Sequence, residues 1–225
     1  RNVGSWAGNL MLCHNHPEFP SDLMTIFAGI GANVVLYSVI NGTRQVNVVD
    51  LPSIAFGTDE FIQSLHIPTT PPGMVFDSYK IRSRHQNAHP IINAGYHFFI
   101  QSSQANATPT IQSSNLIVGG LATGIFRCQQ TMAYLAGKPL NADTLAGALA
   151  QLDVECVPGT RVDPNSTYFL TSPSYRHSLV LATFYKFFIE QMAAQGLPVP
   201  SRDQSAFEVY KRPISSGTEV FTPDA

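Results

Sequence analysis

The chain has 225 residues, 13 Lys plus Arg against 15 Asp plus Glu, and a formal net charge of −2. That length suits one large domain or two small ones, and 12% charged with 44% hydrophobic residues exclude an intrinsically disordered chain. Nothing clusters the Lys and Arg that phosphate neutralisation needs, so no nucleic acid is expected as a partner. A surface this poor in charge is instead expected to meet other protein. Cys13, Cys128 and Cys156 are scattered, with no CxxC spacing from which a local zinc or iron–sulfur site can be built. They read as reduced thiols of a cytoplasmic protein. The longest uncharged apolar stretch, residues 116–126, falls short of the roughly 20 residues of a spanning helix, no signal peptide is visible, and no membrane is expected as a partner. The opening Arg, in place of Met, reads as the start of a fragment.

In chain order, residues 1–20 are rich in Gly, Asn, His and Pro without a sustained period, and read as a loop through Gly4, Gly8 and Pro17. Ser21 and Asp22 precede Leu23, Met24, Ile26, Phe27 and Ile30, which predicts a short capped helix. Residues 32–40 form an almost continuous apolar run rich in β-branched side chains, the pattern of a buried strand. Asn41-Gly42 predicts a hairpin, with Val46 and Val48 alternating on the returning strand. Another strand is expected over 60–67, followed by a Pro-rich break at 69–73. Beyond it, strands are expected at 75–82, 90–101 and 110–118, with Gly119-Gly120 closing the sheet. Helices are expected at 128–136, stopped by Gly137, and at 141–154, capped by Asn141. A long helix begins near Ser174 and runs to Gly196, with Leu179, Val180, Ala182, Phe184, Phe187, Phe188 and Met192 on a wide apolar face. Strands followed by helices predict an α+β fold, an antiparallel sheet flanked by helices. The change of pattern at the break predicts a division into residues 1–74, 75–196 and a polar tail or linker at 197–225.

The opening segment carries the most chemistry. Glycines and a short hydroxyl in Ser5-Trp6-Ala7-Gly8-Asn9 suit a turn whose backbone amides approach a phosphate or a flat cofactor, and equally an ordinary Gly-rich turn. No GxGxxG, Walker or GxSxG motif is present. His14, His16 and Glu18 lack a further ligand at metal spacing, so these histidines are expected to be solvated or hydrogen-bonded and no metal is expected. Asp22 at a helix start is favourable without any ligand. Lys80, in a strand near Phe76 and Tyr79, reads by itself as solvent-facing.

Taken in order, these pieces resemble one family, the molybdenum hydroxylases that include aldehyde oxidase and xanthine dehydrogenase. Residues Ser5-Trp6-Ala7-Gly8-Asn9-Leu10 are similar to the family's Ser-x-Gly-Gly-Asn-Ile loop, and Ser21-Asp22-Leu23 to its Ser-Asp-Leu. The strand ending Leu65-His66-Ile67-Pro68 and the stretch Tyr79-Lys80-Ile81-Arg82-Ser83-Arg84 resemble its Ile-Pro and Phe-Lys-x-x-x-Arg segments. Gly119-Gly120 and residues 175–188 resemble the C-terminal domain of the flavin module, and 207–221 the segment leading into the molybdenum-cofactor domain. The resemblance spans essentially the whole chain. It implies the remnant of an FAD-binding domain of the PCMH type, followed by the flavin module's C-terminal α+β domain. It also implies FAD as the cofactor of this segment. Ser5, Gly8 and Asn9 would lie against its phosphates and ribityl chain, Asp22 would hydrogen-bond its polar part, Ile62 would pack on the isoalloxazine ring and Lys80 would sit near the flavin head. A nearby cation suits a flavin that becomes anionic on reduction.

There are departures from the family pattern. Ala7-Gly8 stands where two glycines are usual, and four extra residues separate the loop from Asp22. The acidic stretch that xanthine dehydrogenase-type members carry after the Arg is His85-Gln86-Asn87-Ala88-His89 here, which looks more like an aldehyde oxidase. The resemblance thus implies an oxidoreductase module that passes electrons from iron–sulfur clusters through FAD to oxygen. The alternatives are a xanthine dehydrogenase-like enzyme that reduces NAD, and a flavin-free interaction or linker domain. The small subdomain with the family's pyrophosphate loop has no counterpart in these residues. Nor do the 2Fe-2S cysteine motifs or the molybdopterin domain. They are expected as partner domains in a longer polypeptide, a homodimer when full length, and this segment alone is expected to be inactive.

Overall fold

The computed structural model describes residues 4–84, 88–101, 108–121, 123–156 and 171–207. Residues 85–87 of the non-acidic stretch, and all but the first residue of the resemblance at 207–221, lie outside the described residues. Strands β1 (Asn33–Ser38), β2 (Gly42–Asn47) and β3 (Phe61–His66) make a small antiparallel sheet in the order β2-β1-β3. Strands β4 (Met74–Arg82), β5 (Pro90–Gln101), β6 (Thr110–Gly119) and β7 (Ile125–Arg127) make a larger antiparallel sheet in that order, and β8 (Lys138–Pro139) pairs onto the far end of β6. Five α-helices, α1 (Trp6–Asn15), α2 (Asp22–Gly29), α3 (Gln129–Leu135), α4 (Ala142–Glu155) and α5 (Pro173–Ala194), and two short 3-10 helices, Leu51–Ser53 and Ser201–Ala206, complete the described elements. The α+β class and the antiparallel pairing agree with the sequence reading.

One face of the large sheet carries the main core. Along β5, Ile92, Ala94, Tyr96, Phe98 and Ile100 turn to this face and meet Phe184, Phe187 and Phe188 of α5. The rings interlock edge to face, with centroids 4.8 Å apart for Phe98 and Phe187 and 5.7 Å for Tyr96 and Phe184, the geometry that aromatic quadrupoles favour. Helix α5 starts where its sequence allows, with Pro173 in the first turn and the Ser172 hydroxyl accepting the Tyr175 amide. Helix α3 is too short to be stable alone. The buried Glu155 carboxylate, at the end of α4, accepts the Gln130 and Thr131 amides at 2.8 and 2.9 Å and so satisfies its first turn. Leu197, Val199 and Phe207 also pack against this core.

The other face of the same sheet carries α2, and here backbone meets backbone. A Cβ built on Gly29 of α2 would lie 3.1 Å from the Cα of Gly95 on β5 and 2.9 Å from the Phe76 ring. One built on Gly95 would lie 2.9 Å from the Thr25 carbonyl oxygen. Asn115 of β6 then ties down the end of α2, its side-chain amide donating to the carbonyls of Ala28 and Gly29 at 2.7 and 2.9 Å. A second core of Leu10, Cys13, Met24, Ala28, Val34, Leu36 and Leu51 lies between α1, α2 and the small sheet, and Ile117 of β6 joins it.

Three expectations are corrected. Residues 1–20 are not a loop throughout, because residues Trp6–Asn15 form α1. Ser5 caps it by accepting the Gly8 amide at 3.0 Å, while Leu10 and Cys13 bury one side. Gly119-Gly120 does not close the sheet: the chain turns at Gly120 (φ 87°) and returns as β7, a strand of only three residues. The run at 32–40 is buried only at alternate positions, with Val34, Leu36 and Ser38 inward, since one face of the small sheet lies away from the core. The hairpin between β1 and β2 is present, with Ser38 opposite Gly42 (φ 74°).

The Gly29–Gly95 approach leaves no room for a side chain. Gly95→Val is expected to destabilise the protein by about 1–3 kcal/mol, the usual cost of overpacking, measured as a lower midpoint in urea denaturation.

Candidate functional site

The N-terminus of α2 sits over the large sheet where β4 and β5 run side by side. Ser21 caps this helix, its hydroxyl accepting the Met24 amide at 3.0 Å. That places Asp22 in the first turn, where the helix dipole favours a carboxylate. Lys80 of β4 and Asn93 of β5 are register partners and lie next to each other beneath Asp22. One carboxylate oxygen of Asp22, Oδ2, pairs with Lys80 Nζ. The other, Oδ1, accepts from Asn93 Nδ2 at 2.9 Å. Thr25, one turn further along α2, has its hydroxyl within hydrogen-bond distance of Asn93 Oδ1 (2.9 Å) and of the Ser21 carbonyl (3.1 Å). A hydroxyl has one proton, so it donates to one of these at a time.

This cluster borders a cleft of about 180 Å³ lined by Asp22, Thr25, Ile26, Ser78, Lys80 and Asn93. Thr25 and Asn93 are buried, while the Asp22 and Lys80 side chains remain 32% and 31% exposed. The pair therefore stands at the mouth of the cleft, in contact with solvent. An ion pair so exposed adds little to stability, roughly 0–1 kcal/mol. Its chemical content is a cation held in place beside a cleft.

The six residues singled out from sequence are placed as follows. Asp22 and Lys80 are brought together directly. Asn9 joins them at one remove, its side-chain oxygen accepting from the Ser21 hydroxyl at 2.5 Å. Ser5 and Gly8 lie in the exposed first turn of α1, where the Gly8 amide is taken up by the Ser5 hydroxyl and the Asn9 amide by the Ser5 carbonyl at 3.1 Å. By helix geometry the amides of Trp6 and Ala7 have no intrahelical acceptor, so this end of α1 carries positive character. Ile62 sits on β3, half-buried against the second core, and does not line the cleft. Sequence reasoning missed Thr25 and Asn93. The one local signal was a polar Asn93 inside the apolar run Ile91-Ile92-Asn93-Ala94, which a strand buries only with partners.

His14 turns inward, its Nδ1 2.9 Å from the Leu51 carbonyl oxygen and its ring against Phe56, whereas His16 lies 3.4 Å from Glu18. Among the described residues, no group of three or more His, Cys, Asp or Glu is placed to hold a metal ion, and no helix is long and apolar enough to cross a membrane.

Residues 77–191 match the family model of the CO dehydrogenase flavoprotein C-terminal domain. Among curated proteins, the chain is 26% identical to xanthine dehydrogenase of Oryza sativa subsp. japonica and 24% identical to aldehyde oxidase 4 of Rattus norvegicus, in each case over 98% of this chain and 16% of the relative. The chain thus spans about one sixth of the length of these relatives. Among solved structures, it resembles quinoline 2-oxidoreductase from Pseudomonas putida 86 (TM-score 0.63, 18% identity, 87% of this chain and 62% of that one). It also resembles carbon monoxide dehydrogenase from Hydrogenophaga pseudoflava (TM-score 0.64, 15% identity, 83% and 60%). These likenesses show the fold.

Cys13 sits under the junction of α1 and α2, 1% exposed, and burial pushes its thiol up to about 11. The Ser21 backbone amide opposes that shift and Glu18 adds to it. A thiol raised on folding contributes stability below the unfolded value of ~8.5 and loses it as pH rises through the folded one. Stability is therefore expected to fall between about pH 8.5 and 11, and Cys13→Ala should remove part of that slope in urea denaturation at a series of pH values.

Proposed function

The chain belongs to the CO dehydrogenase flavoprotein C-terminal domain family, and from that premise we propose that the cleft beside Lys80 receives part of an FAD. The observation that carries this reading is the fixed Asp22–Lys80 pair at the mouth of the cleft. The residues fit one edge of such a group and not the whole of it. A volume of about 180 Å³ is below the roughly 300–1,000 Å³ of sites that enclose a drug-sized ligand. This chain thus supplies one wall.

Bound FAD would supply two-electron redox chemistry, and a positioned cation raises the electron affinity of a flavin that becomes anionic on reduction. Lys80 holds that cation at the cleft mouth, and Asp22 keeps it from swinging into solvent. Ile26 gives the cleft an apolar wall that excludes water from one side of a flat ring. The start of α1 offers the Trp6 and Ala7 amides to an anion such as a pyrophosphate. Ser5 acts by capping this helix, and Asn9 by linking it to Ser21. This assignment gives Ser5, Gly8 and Asn9 a supporting part, while Ile62, outside the cleft lining, would meet only a part of the cofactor that extends beyond the cleft.

The whole protein is proposed to be an aldehyde oxidase-like oxidoreductase of the cytoplasm. In it the iron–sulfur and molybdenum-cofactor domains are the partners of this segment and oxygen is the electron acceptor. The absence of an acid from residues 85–89 supports oxygen over NAD. Steady-state assays with each acceptor test this, and turnover with NAD above the oxygen rate would replace the oxidase reading with a dehydrogenase.

The flavin reading has its own test. Trp6 is the single tryptophan of these 225 residues and starts α1. FAD binding is expected to quench its fluorescence, and Lys80→Ala should shift the flavin reduction potential downward more than it weakens FAD retention. Unchanged Trp6 emission on FAD loading, with an unchanged potential in Lys80→Ala, would remove FAD from this cleft.

A further inference from the structure

We propose that Asn93 is a positioning residue which fixes the Lys80 ammonium at the cleft by locking the Asp22 carboxylate; this rests on the flavin reading above. Asn93 is 2% exposed, between Ile92 and Ala94, which face the aromatic core on the opposite side of the sheet. A buried side-chain amide destabilises unless its groups are paired. Its Nδ2 donates to Asp22 Oδ1 and its Oδ1 lies 2.9 Å from the Thr25 hydroxyl. The orientation is therefore set. Rotating the amide by half a turn would set its oxygen against the carboxylate and its NH₂ against Thr25.

The sheet makes room for this arrangement. Asn93 pairs with Lys80 on β4 and with Gly119 on β6. A Cβ at position 119 would collide with Asn93 Oδ1 and lie 3.0 Å from the Thr25 hydroxyl oxygen. Gly119 thus leaves the hollow in which the amide lies, and Lys80, Asn93 and Gly119 form one row across three strands. Asp22 reaches down onto that row from α2 and is held at both oxygens. With Oδ1 tied to Asn93, the carboxylate cannot rotate about its last bond. Lys80 is then paired to a fixed partner, rather than to one of many rotamers of a surface acid. Without Asn93, the pair becomes an ordinary exposed ion pair, which the entropy of two free side chains readily undoes.

The test uses the FAD-loaded protein with Asn93→Ala and Asn93→Asp, each also in an Asp22→Ala background. Losing one hydrogen bond to a charged group is expected to raise the FAD dissociation constant about tenfold in Asn93→Ala. In the Asp22→Ala background the same change should add nothing further. A full tenfold effect there overturns the proposal, because Asn93 would then act without Asp22.

Asn93→Asp keeps the shape and reverses the partner. Asp22 of α2 and Lys80 of β4 are the charged groups that face position 93, while Thr25 of α2 and Gly119 of β6 are uncharged. An ionised Asp at position 93 repels Asp22, whereas a protonated one can donate as the Asn93 amide does. FAD binding to Asn93→Asp should therefore tighten as pH falls through the carboxylate range, relative to the parent protein over the same range. No difference between the two pH profiles overturns the proposal, since a merely structural role predicts none. A crystal structure of Asn93→Ala separates the two ways of failing. Asp22 and Lys80 paired as before would overturn the positioning role whatever FAD does. A broken pair with an unchanged FAD dissociation constant would instead overturn the flavin reading.

Discussion

Asp22 can reach Lys80 because α2 lies directly on the backbone of the large sheet, with Gly29 against Gly95. Side chains at a helix–sheet boundary normally hold the two apart. Here they are missing at the crossing point, and Thr25 and Asp22, a turn or more toward the N-terminus, come down to the level of β4 and β5. Asn115 pins the other end of the helix through its last carbonyls. The helix is thus fixed at both ends and in the middle, and its first turn has little freedom to move relative to Lys80. Gly119 continues the same device one strand further, where the missing side chain admits the amide of Asn93. Precision at the cleft rests on absent atoms as much as on present ones.

The aromatic core and the candidate site lie on opposite faces of one sheet. The aromatic cluster of Tyr96, Phe98, Phe184, Phe187 and Phe188 is fully buried on one side. Truncating one of these rings typically costs about 3–5 kcal/mol, whereas the exposed Asp22–Lys80 pair is worth far less. The strands that carry Lys80 and Asn93 are therefore rigid for reasons unrelated to the cleft, and a site on such strands keeps its geometry better than one on a loop. Tyr79 shows the alternation directly. It follows Ser78 and precedes Lys80, yet its hydroxyl donates to Glu190 of α5 at 2.7 Å. Burial, with that carboxylate beside it, pushes the phenol above its usual range. Adjacent residues of β4 thus belong to different halves of the molecule.

Local signals carried much of the fold. The Ser21 cap, the Asn41-Gly42 hairpin, the Asn141 cap of α4 and the apolar face of α5 each act within a few residues, so they could be read directly. Helix α1 could not. Gly8, Asn9, His14 and Asn15 are poor helix formers, and what holds them is the burial of Leu10 and Cys13 and the bond from Ser21 to Asn9, all tertiary. Strands β7 and β8 are too short to show a period. At the cleft, Asp22 and Lys80 each had a sufficient local explanation, a helix start and a strand surface, and it was the family resemblance that singled them out. They are 58 residues apart, and only the α2–β4 approach makes them a pair. Thr25 and Asn93 take their meaning from the same approach, which no spacing in the sequence encodes.

Ser21 gives the site a further property. Its hydroxyl accepts the Met24 amide and donates to Asn9, so a single oxygen caps α2 and anchors α1. Its carbonyl is one of two acceptors open to Thr25, the other being Asn93. The starts of both helices are therefore joined through one residue, and the Thr25 proton goes either to that residue or to Asn93. An anion drawn to the start of α1 and a ring edge seated beside Lys80 would act on two hydrogen-bonded groups, Asn9 with Ser21 on one side and Asn93 with Asp22 and Lys80 on the other, and the Thr25 hydroxyl donates to one of them at a time. Each link is a neutral or singly charged bond worth on the order of 1 kcal/mol. No single link fixes the geometry alone. Together they do so where Ser21, Thr25 and Asn93 are buried, because a polar group that leaves its partner there finds no water to replace it, whereas Asp22 and Lys80 keep contact with solvent.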